Sequence, residues 1–498
     1  MTHKPSHKNV SIRPHRRAFL ADVGMGFTGL ALGELLLSEG VARAGELDRW
    51  SPPDGRSHFR PKAKSVIWIF LVGGMSHLES FDPKPALNEF AGQEIGNTPH
   101  KHVLEASFIN ENLRVVVPDD ANGHIRHKLF PLQVNFQKRG TSGLEISDWW
   151  THLGECADEL AVVRSMWTTD NNHGAQLQFH TGRHVLEGQF PTIGSWVHYG
   201  LGSINDNLPR FVVMGTPIAD CCGGIGAHGA NYLGPEHSGV QLGVDPKEPL
   251  PFAAPGKDVF REEQQSEFEL LGDLNRLAAV EYPDDSEVRA RIKSYELAFR
   301  MQSAVPNVVD CEAETESTRT MYGLGRKETD EFGRHCLVAR RLVEQGVRFV
   351  QIFHGSNGGA GSWDAHGNLK NGHAALCQQV DQPIAALIKD LKQRGMLEET
   401  MVVVGTEFGR TPGTQNSDGR DHHPFAFSVV MAGGGLKGGI AHGATDALGF
   451  HAIENRHYVT DIHATVLHQL GIDPRRLAVP GRKRLAIDFG EPIREIIA

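Results

Sequence analysis

Three features of the sequence predict an α/β fold, a three-layer α/β/α sandwich around a mostly parallel sheet. Short β-rich apolar runs alternate with amphipathic helical stretches through the C-terminal half. Each of the clearest helices there stops on a glycine. The first apolar run, Ser65–Val72 (SVIWIFLV), is unbroken rather than alternating, as a strand buried on both faces requires.

The elements follow in order. Residues 45–63 are polar and Pro-rich and read as a linker. Ser65–Val72 is the first strand, closed by Gly73-Gly74. Residues 147–160 read as a helix leading into a short strand, Leu160–Arg164. Residues 174–182 form a helix that ends at Gly182. From about 200 to 260 the chain is Gly/Pro-rich and irregular, and 261–303 is helical with a break at Pro283. The final third then repeats one rhythm: helix Glu331–Gln345, strand Val347–Phe353, helix Ala374–Arg394, strand Met401–Gly405, strand Phe425–Ala432, helix Tyr458–Leu470. The glycines at 433–439 lack the dinucleotide fingerprint order and read as a loop.

Composition narrows the class. Apolar residues make up 40% and charged residues 22%, which excludes wholesale disorder. A net charge of −10 without a dense basic tract argues against nucleic acid or an anionic membrane as partner. The 27 histidines, against 6 tyrosines and 7 tryptophans, direct attention to metal or proton chemistry. The six cysteines show no C-x-x-C spacing, and no disulfide is expected. At the N-terminus, Arg16-Arg17 precedes a mildly apolar stretch and the A-x-A site Ala42-Arg43-Ala44. Residues 1–44 therefore resemble a twin-arginine (Tat) export signal, which implies the Tat machinery as partner and a periplasmic or extracellular location. Asp22 and Glu34 interrupt the stretch, so no integral membrane span is expected. The remainder, 64–498, is expected as one α/β domain with an insertion at about 200–330.

Metal-ligand types gather after the strands. Trp363-Asp364-Ala365-His366-Gly367 follows one, Glu407–Pro412 another, and Gly419-Arg420-Asp421-His422-His423-Pro424 precedes a third. In parallel sheets ligands bind at the carboxyl ends of strands. Carboxylate with imidazole suits a divalent metal, Zn²⁺ first, with Mn²⁺, Fe, Mg²⁺ and Ca²⁺ as alternatives and one or two ions. Asp364, His366, Glu407, His422 and His423 are the candidate ligands. His422 and His423 point to opposite sides of an extended segment, so one of them is expected to be structural or to stand behind the ligands. Asp421 is a candidate to orient a histidine.

These motifs, with Gly73-Gly74-Met75-Ser76-His77, Phe81-Asp82-Pro83-Lys84-Pro85 and Val459-Thr460-Asp461-Ile462-His463-Ala464-Thr465, resemble the DUF1501 family of exported bacterial proteins across essentially the whole mature chain. The resemblance implies an alkaline phosphatase-like fold, related to sulfatases and phosphomutases, with one or two metals. It places Asp364, His366, Glu407 and one of His422 and His423 at the ligand positions. It makes His77 and Asp82 the nearest acidic or imidazole groups to the first strand end. Nine residues before Thr181, where sulfatases carry their nucleophile, stands Asn172. Thr168, Thr169 and His173 are its neighbours. The expectation is a metal-dependent hydrolase of phosphate or sulfate esters, a small anionic ester or a sulfated or phosphorylated glycan. A metal-bound hydroxide replaces the missing nucleophile. Asn172 and His173 bind the anion, Arg410 and Arg420 clamp it. The alternative expectation is an inactive relative that binds an anionic glycan or a partner protein.

Overall fold

The computed structural model describes residues 55–105, 124–205, 207–245, 249, 266, 270, 272–273, 297, 300–301 and 304–498. The expected export signal and most of the helical stretch expected at 261–303 lie outside the described residues. Pro52–Ala498 forms one compact unit by itself.

The strands are β1 (Ser65–Leu71), β2 (Phe136–Arg139), β3 (Leu144–Ser147), β4 (Leu160–Trp167), β5 (Phe211–Met214), β6 (Val240–Gln241), β7 (Phe349–His354) and β8 (Thr400–Gly405). They continue with β9 (Gly409–Gln415), β10 (Gly419–His423), β11 (Phe427–Gly433), β12 (Ile440–His442), β13 (Ala444–Thr445), β14 (Ala452–Glu454) and β15 (His457–Tyr458). The main helices are α1 (Gly174–Thr181), α2 (Ile193–Leu201), α3 (Asp330–Glu344), α4 (Leu369–Gln393) and α5 (Val459–Gln469).

One sheet runs β12-β4-β11-β8-β1-β7-β5-β6, with β15 also on β4. Pairing is parallel for β1 with β7 and β8, for β5 with β6 and β7, and for β4 with β12 and β15. The exception is β11, antiparallel to β4 and β8. Its direction follows from its connection: the β9–β10 hairpin, and no crossover helix, separates it from β8.

The central strand is β1, and its side chains alternate between two cores. Ile67, Ile69 and Leu71 pack with residues of α3 and α4, while Val66, Trp68 and Phe70 pack with α1, α2 and α5. This burial on both faces is what the unbroken apolar run predicts, and it makes three layers. A smaller cluster of Leu78, Leu87, Phe425, Leu448 and Phe450 is separate from both.

Three elements differ from expectation. The helix expected over 147–160 shrinks to Thr151–Gly154 and a 3-10 turn at Ala157–Glu159. There the Asp381 carboxylate of α4 takes the N–H groups of His152 and Leu153, at 2.8 and 2.7 Å. The stretch expected to be irregular contributes two strands, β5 and β6, to the sheet edge. Finally, 409–423 is a hairpin rather than loop, turned at Asn416 and Ser417 with φ +51° and +74°.

Candidate metal centre

The carboxyl ends of β1, β4, β7 and β8 lie at one edge of the sheet. From β4 the chain runs through Thr168–Asn172 to His173 at the start of α1. From β7 it loops through Asp364 and His366. From β8 it reaches Glu407, and β10 returns with His422. Close approach demands glycine after β1. Gly73 has φ +119°, and a Cβ there would stand 2.5 Å from the Asp364 nitrogen; at Gly74, φ +88°, it would stand 2.5 Å from the Phe408 ring.

Three imidazoles converge on one carboxylate. His366 and His422 present Nε2 to Asp364 Oδ1 at 3.1 and 3.2 Å, and His173 Nε2 lies 3.4 Å from Oδ2. The opposite nitrogen of each ring is committed to an oxygen. His173 Nδ1 lies 2.7 Å from Glu407 Oε1, His422 Nδ1 lies 2.8 Å from the Asn171 carbonyl, and His366 Nδ1 meets Gln415 Oε1. Those oxygens only accept, so each ring donates from Nδ1 and turns Nε2 toward Asp364.

Charge is arranged around this point. Burial opposes ionisation of Asp364, but Arg410 and then the three imidazoles hold its carboxyl far below the usual carboxylate range. Burial works against charge on His173, yet Asp364 and Glu407 raise it to about 9. Burial pushes His422 down to about 3 despite Asp364. A neutral His422 therefore sets a lone pair against a carboxylate oxygen at 3.2 Å, two acceptors without a proton between them. The donor set fits a cation. Three imidazole nitrogens and one carboxylate are a zinc-type set, and carboxylate, amide or carbonyl partners on Nδ1 are what metal-bound histidines carry. His173, Asp364 and His422 form one group able to hold an ion, and His366, Asp421 and His422 a second that overlaps it. Asp364 and His366 are half-buried while His173 and His422 are buried.

The other expected residues lie elsewhere or act differently. Glu407, expected as a ligand, is outside these groups: its Oε1 takes His173 Nδ1 and, at 3.2 Å, Gln176 Nε2, and its Oε2 takes the Gly73 N–H at 2.9 Å. His423, also expected as a ligand, points away and bonds the Phe450 carbonyl between two phenyl rings. Asn172 accepts the His173 N–H at 2.8 Å. Arg410, expected to clamp substrate, is fully buried and donates to the Gly73, Gly74, Arg420 and Trp363 carbonyls and to Asp364. Arg420 is likewise buried and donates from Nε and Nη2 to Glu79 Oε1, at 3.0 and 2.7 Å. His77 bonds the Gly449 carbonyl at 3.1 Å, and Asp82 pairs with Lys84 at 2.9 Å and with Thr445. Asp421 binds Arg126 at 2.6 Å and the His422 N–H at 2.8 Å.

Sequence reasoning missed Gln415, Gln176, Arg126 and the Asn171 carbonyl. Only Gln415 left a signal, as the last residue before the Asn-Ser-Asp-Gly turn of the hairpin.

A family model described as "Protein of unknown function (DUF1501)" matches residues 63–497. No curated protein matches the chain. Among solved structures the chain is similar to Ps i-CgsB, seen in complex with k-i-k-neocarrahexaose, at 10% identity and TM-score 0.33 with 69% of each chain covered. It is also similar to the PsFucS1 sulfatase from Pseudoalteromonas sp., at 13% identity and TM-score 0.28 with 68% of each chain covered. Among the described residues no helix is long and apolar enough to cross a membrane.

Proposed function

The chain belongs to the DUF1501 family, and from that premise we propose that it is an exported, metal-dependent hydrolase of phosphate or sulfate esters with an alkaline phosphatase-like fold. The observation that carries this reading is the convergence of His173, His366 and His422 on Asp364 with every Nδ1 already committed. His173, Asp364 and His422 would hold a divalent ion, Zn²⁺ first, with His366 beside them in the overlapping group. A bound ion supplies Lewis acidity toward an ester oxygen and toward water. Export rests on the twin-arginine segment of the sequence alone.

The surrounding residues have distinct tasks. Glu407 holds the His173 ring through Nδ1, and Arg410 offsets the charge of Asp364. Phe408 packs on the buried His422 ring, with ring centroids 4.3 Å apart. An ester enters from the side of Asp364 and His366, the two half-buried members. The side-chain hydroxyls before α1 are occupied. Thr168 donates to Gln178 Oε1 at 2.6 Å and Thr169 accepts from Gln178 Nε2 at 2.8 Å. With Asn172 at the expected nucleophile position, that supports direct attack by water on the ester. The same Asn172 favours a second reading, a non-catalytic relative that binds an anionic glycan or a partner protein.

The test is metal analysis of the purified chain, followed by turnover of 4-nitrophenyl phosphate and 4-nitrophenyl sulfate. Stoichiometric metal with turnover, both lost in Asp364→Ala, is the expected result. Stoichiometric metal without turnover selects the binding reading. Protein that neither retains nor takes up a divalent ion overturns the metal centre.

A further inference from the structure

A second pair of imidazoles converges at the far edge of the sheet. His442 closes β12 and His457 opens β15, and both strands lie along β4, opposite Val163 and Met166. The segment between them leaves the sheet and forms the β13–β14 ribbon. The two Nε2 atoms are 2.9 Å apart, with ring centroids at 5.1 Å and planes tilted by 33°. His457 Nδ1 lies 3.1 Å from Asp461 Oδ2, so it donates there and leaves Nε2 as the lone-pair end of the ring. Asp461 is itself fixed, because its Oδ1 takes the Glu491 N–H at 2.9 Å. A carboxylate on Nδ1 with Nε2 left to face outward is also how Glu407 holds His173. The site borders solvent through His457 and Asp461, whose side chains are 14% and 18% exposed, while His442 is buried.

We propose that His442 and His457 form a second cation site, separate from the Asp364 centre, that takes a borderline divalent ion (Zn²⁺, Cu²⁺ or Ni²⁺) through the two Nε2 atoms, with Asp461 positioning His457. Metal–imidazole bonds of about 2.0–2.1 Å set two tetrahedral ligand nitrogens roughly 3.3 Å apart, so the rings need to open by only a few tenths of an ångström. Two protein ligands leave the other positions to water or to a donor from another molecule. An ion here ties the base of the 443–456 excursion. The carbonyls of Gly449 and Phe450 on that excursion hold His77 and His423.

The experiment is a titration of the chelator-stripped full chain with CuCl₂, read by calorimetry and by the nitrogen coupling in its electron paramagnetic resonance spectrum. His442→Ala and His457→Ala should each take up one equivalent less than wild type while near-ultraviolet circular dichroism is unchanged. Asp461→Asn keeps the shape of the side chain and should weaken that equivalent by about ten- to a hundredfold. In Asp364→Ala the same equivalent should remain, so failure of the main centre is read separately. Equal uptake by wild type and both histidine variants overturns the site and leaves the pair as an ordinary hydrogen bond from His442 to His457. Unchanged affinity in Asp461→Asn overturns the positioning role.

Discussion

On one side of the β9–β10 hairpin, His173, His366 and His422 turn their Nε2 atoms toward the Asp364 carboxylate. On the other side, His77 and His423 bond through Nε2 to the carbonyls of Gly449 and Phe450. The residue types are the same, and His422 and His423 are adjacent in the chain. What separates them is which nitrogen the backbone or a neighbouring side chain has claimed. A neutral imidazole with Nδ1 claimed is left with a lone pair aimed at whatever Nε2 faces. One whose Nε2 ends on a carbonyl is a satisfied core residue, and burial pushes His423 down to about 3.

Acid is the broadest way to probe the buried imidazoles away from Asp364. Burial pushes His335, His354 and His463 down to about 4, so in the folded chain they stay neutral where an unfolded chain takes up protons. Their contribution is full above the unfolded value near 6.5 and is lost as pH falls toward about 4, at about 1.4 kcal/mol per pH unit for each. Urea titrations in chelator at pH 7, 6 and 5 should show stability falling steeply; a flat profile would erase the distinction between the classes. Next in size, Asp364→Ala should lower divalent-ion affinity by more than about a hundredfold, because it removes the one acidic ligand of the proposed set. Calorimetry with ZnCl₂ checks this, and unchanged affinity would put the ion elsewhere. His423→Ala should leave zinc affinity alone but cost about 2–3 kcal/mol of stability, through a cavity and an orphaned Phe450 carbonyl. Loss of zinc with no loss of stability would reverse the assignment of the two neighbours. The smallest effect is expected of Glu407→Gln, which keeps the shape but weakens the hold on His173, for about a ten- to hundredfold loss of zinc affinity. A loss as large as that of Asp364→Ala would mean that Glu407 touches the ion itself.

The same contrast explains what the sequence reveals. The β1 run is legible because a strand covered on both faces has no polar alternation to hide it. Asp364, His366 and His422 are legible as neighbours because they flank strands whose carboxyl ends must share one edge. The β9–β10 hairpin is not legible, since Gly409, Pro412 and Gly413 break any period-two pattern. Gly413 is glycine for a tertiary reason: a Cβ there would overlap the Arg126 carbonyl. Glu407 and His423 have the right chemistry for ligands, and their placement depends on a Gly73 N–H 334 residues away and a Phe450 carbonyl 27 residues away. Arg410 and Arg420 likewise read as anion clamps until the carbonyls that enclose them are seen.

The position of β1 has a consequence for how the chain is made. Of the described strands, the middle one of the sheet is the first to be synthesised, and the Thr406 hydroxyl that bonds Leu71 lies 335 residues later. At about 5–20 residues per second, roughly 20 to 70 seconds pass on the ribosome before β8 can dock beside it. Its other neighbour, β7, begins at Phe349, so until that strand is made SVIWIFLV has no sheet partner and is a segment prone to aggregation. Formation of the three-histidine cluster must wait too, because its last member arrives at position 422. A nascent chain truncated before β8 should therefore be insoluble, whereas release at full length allows the centre to assemble in one late, long-range step.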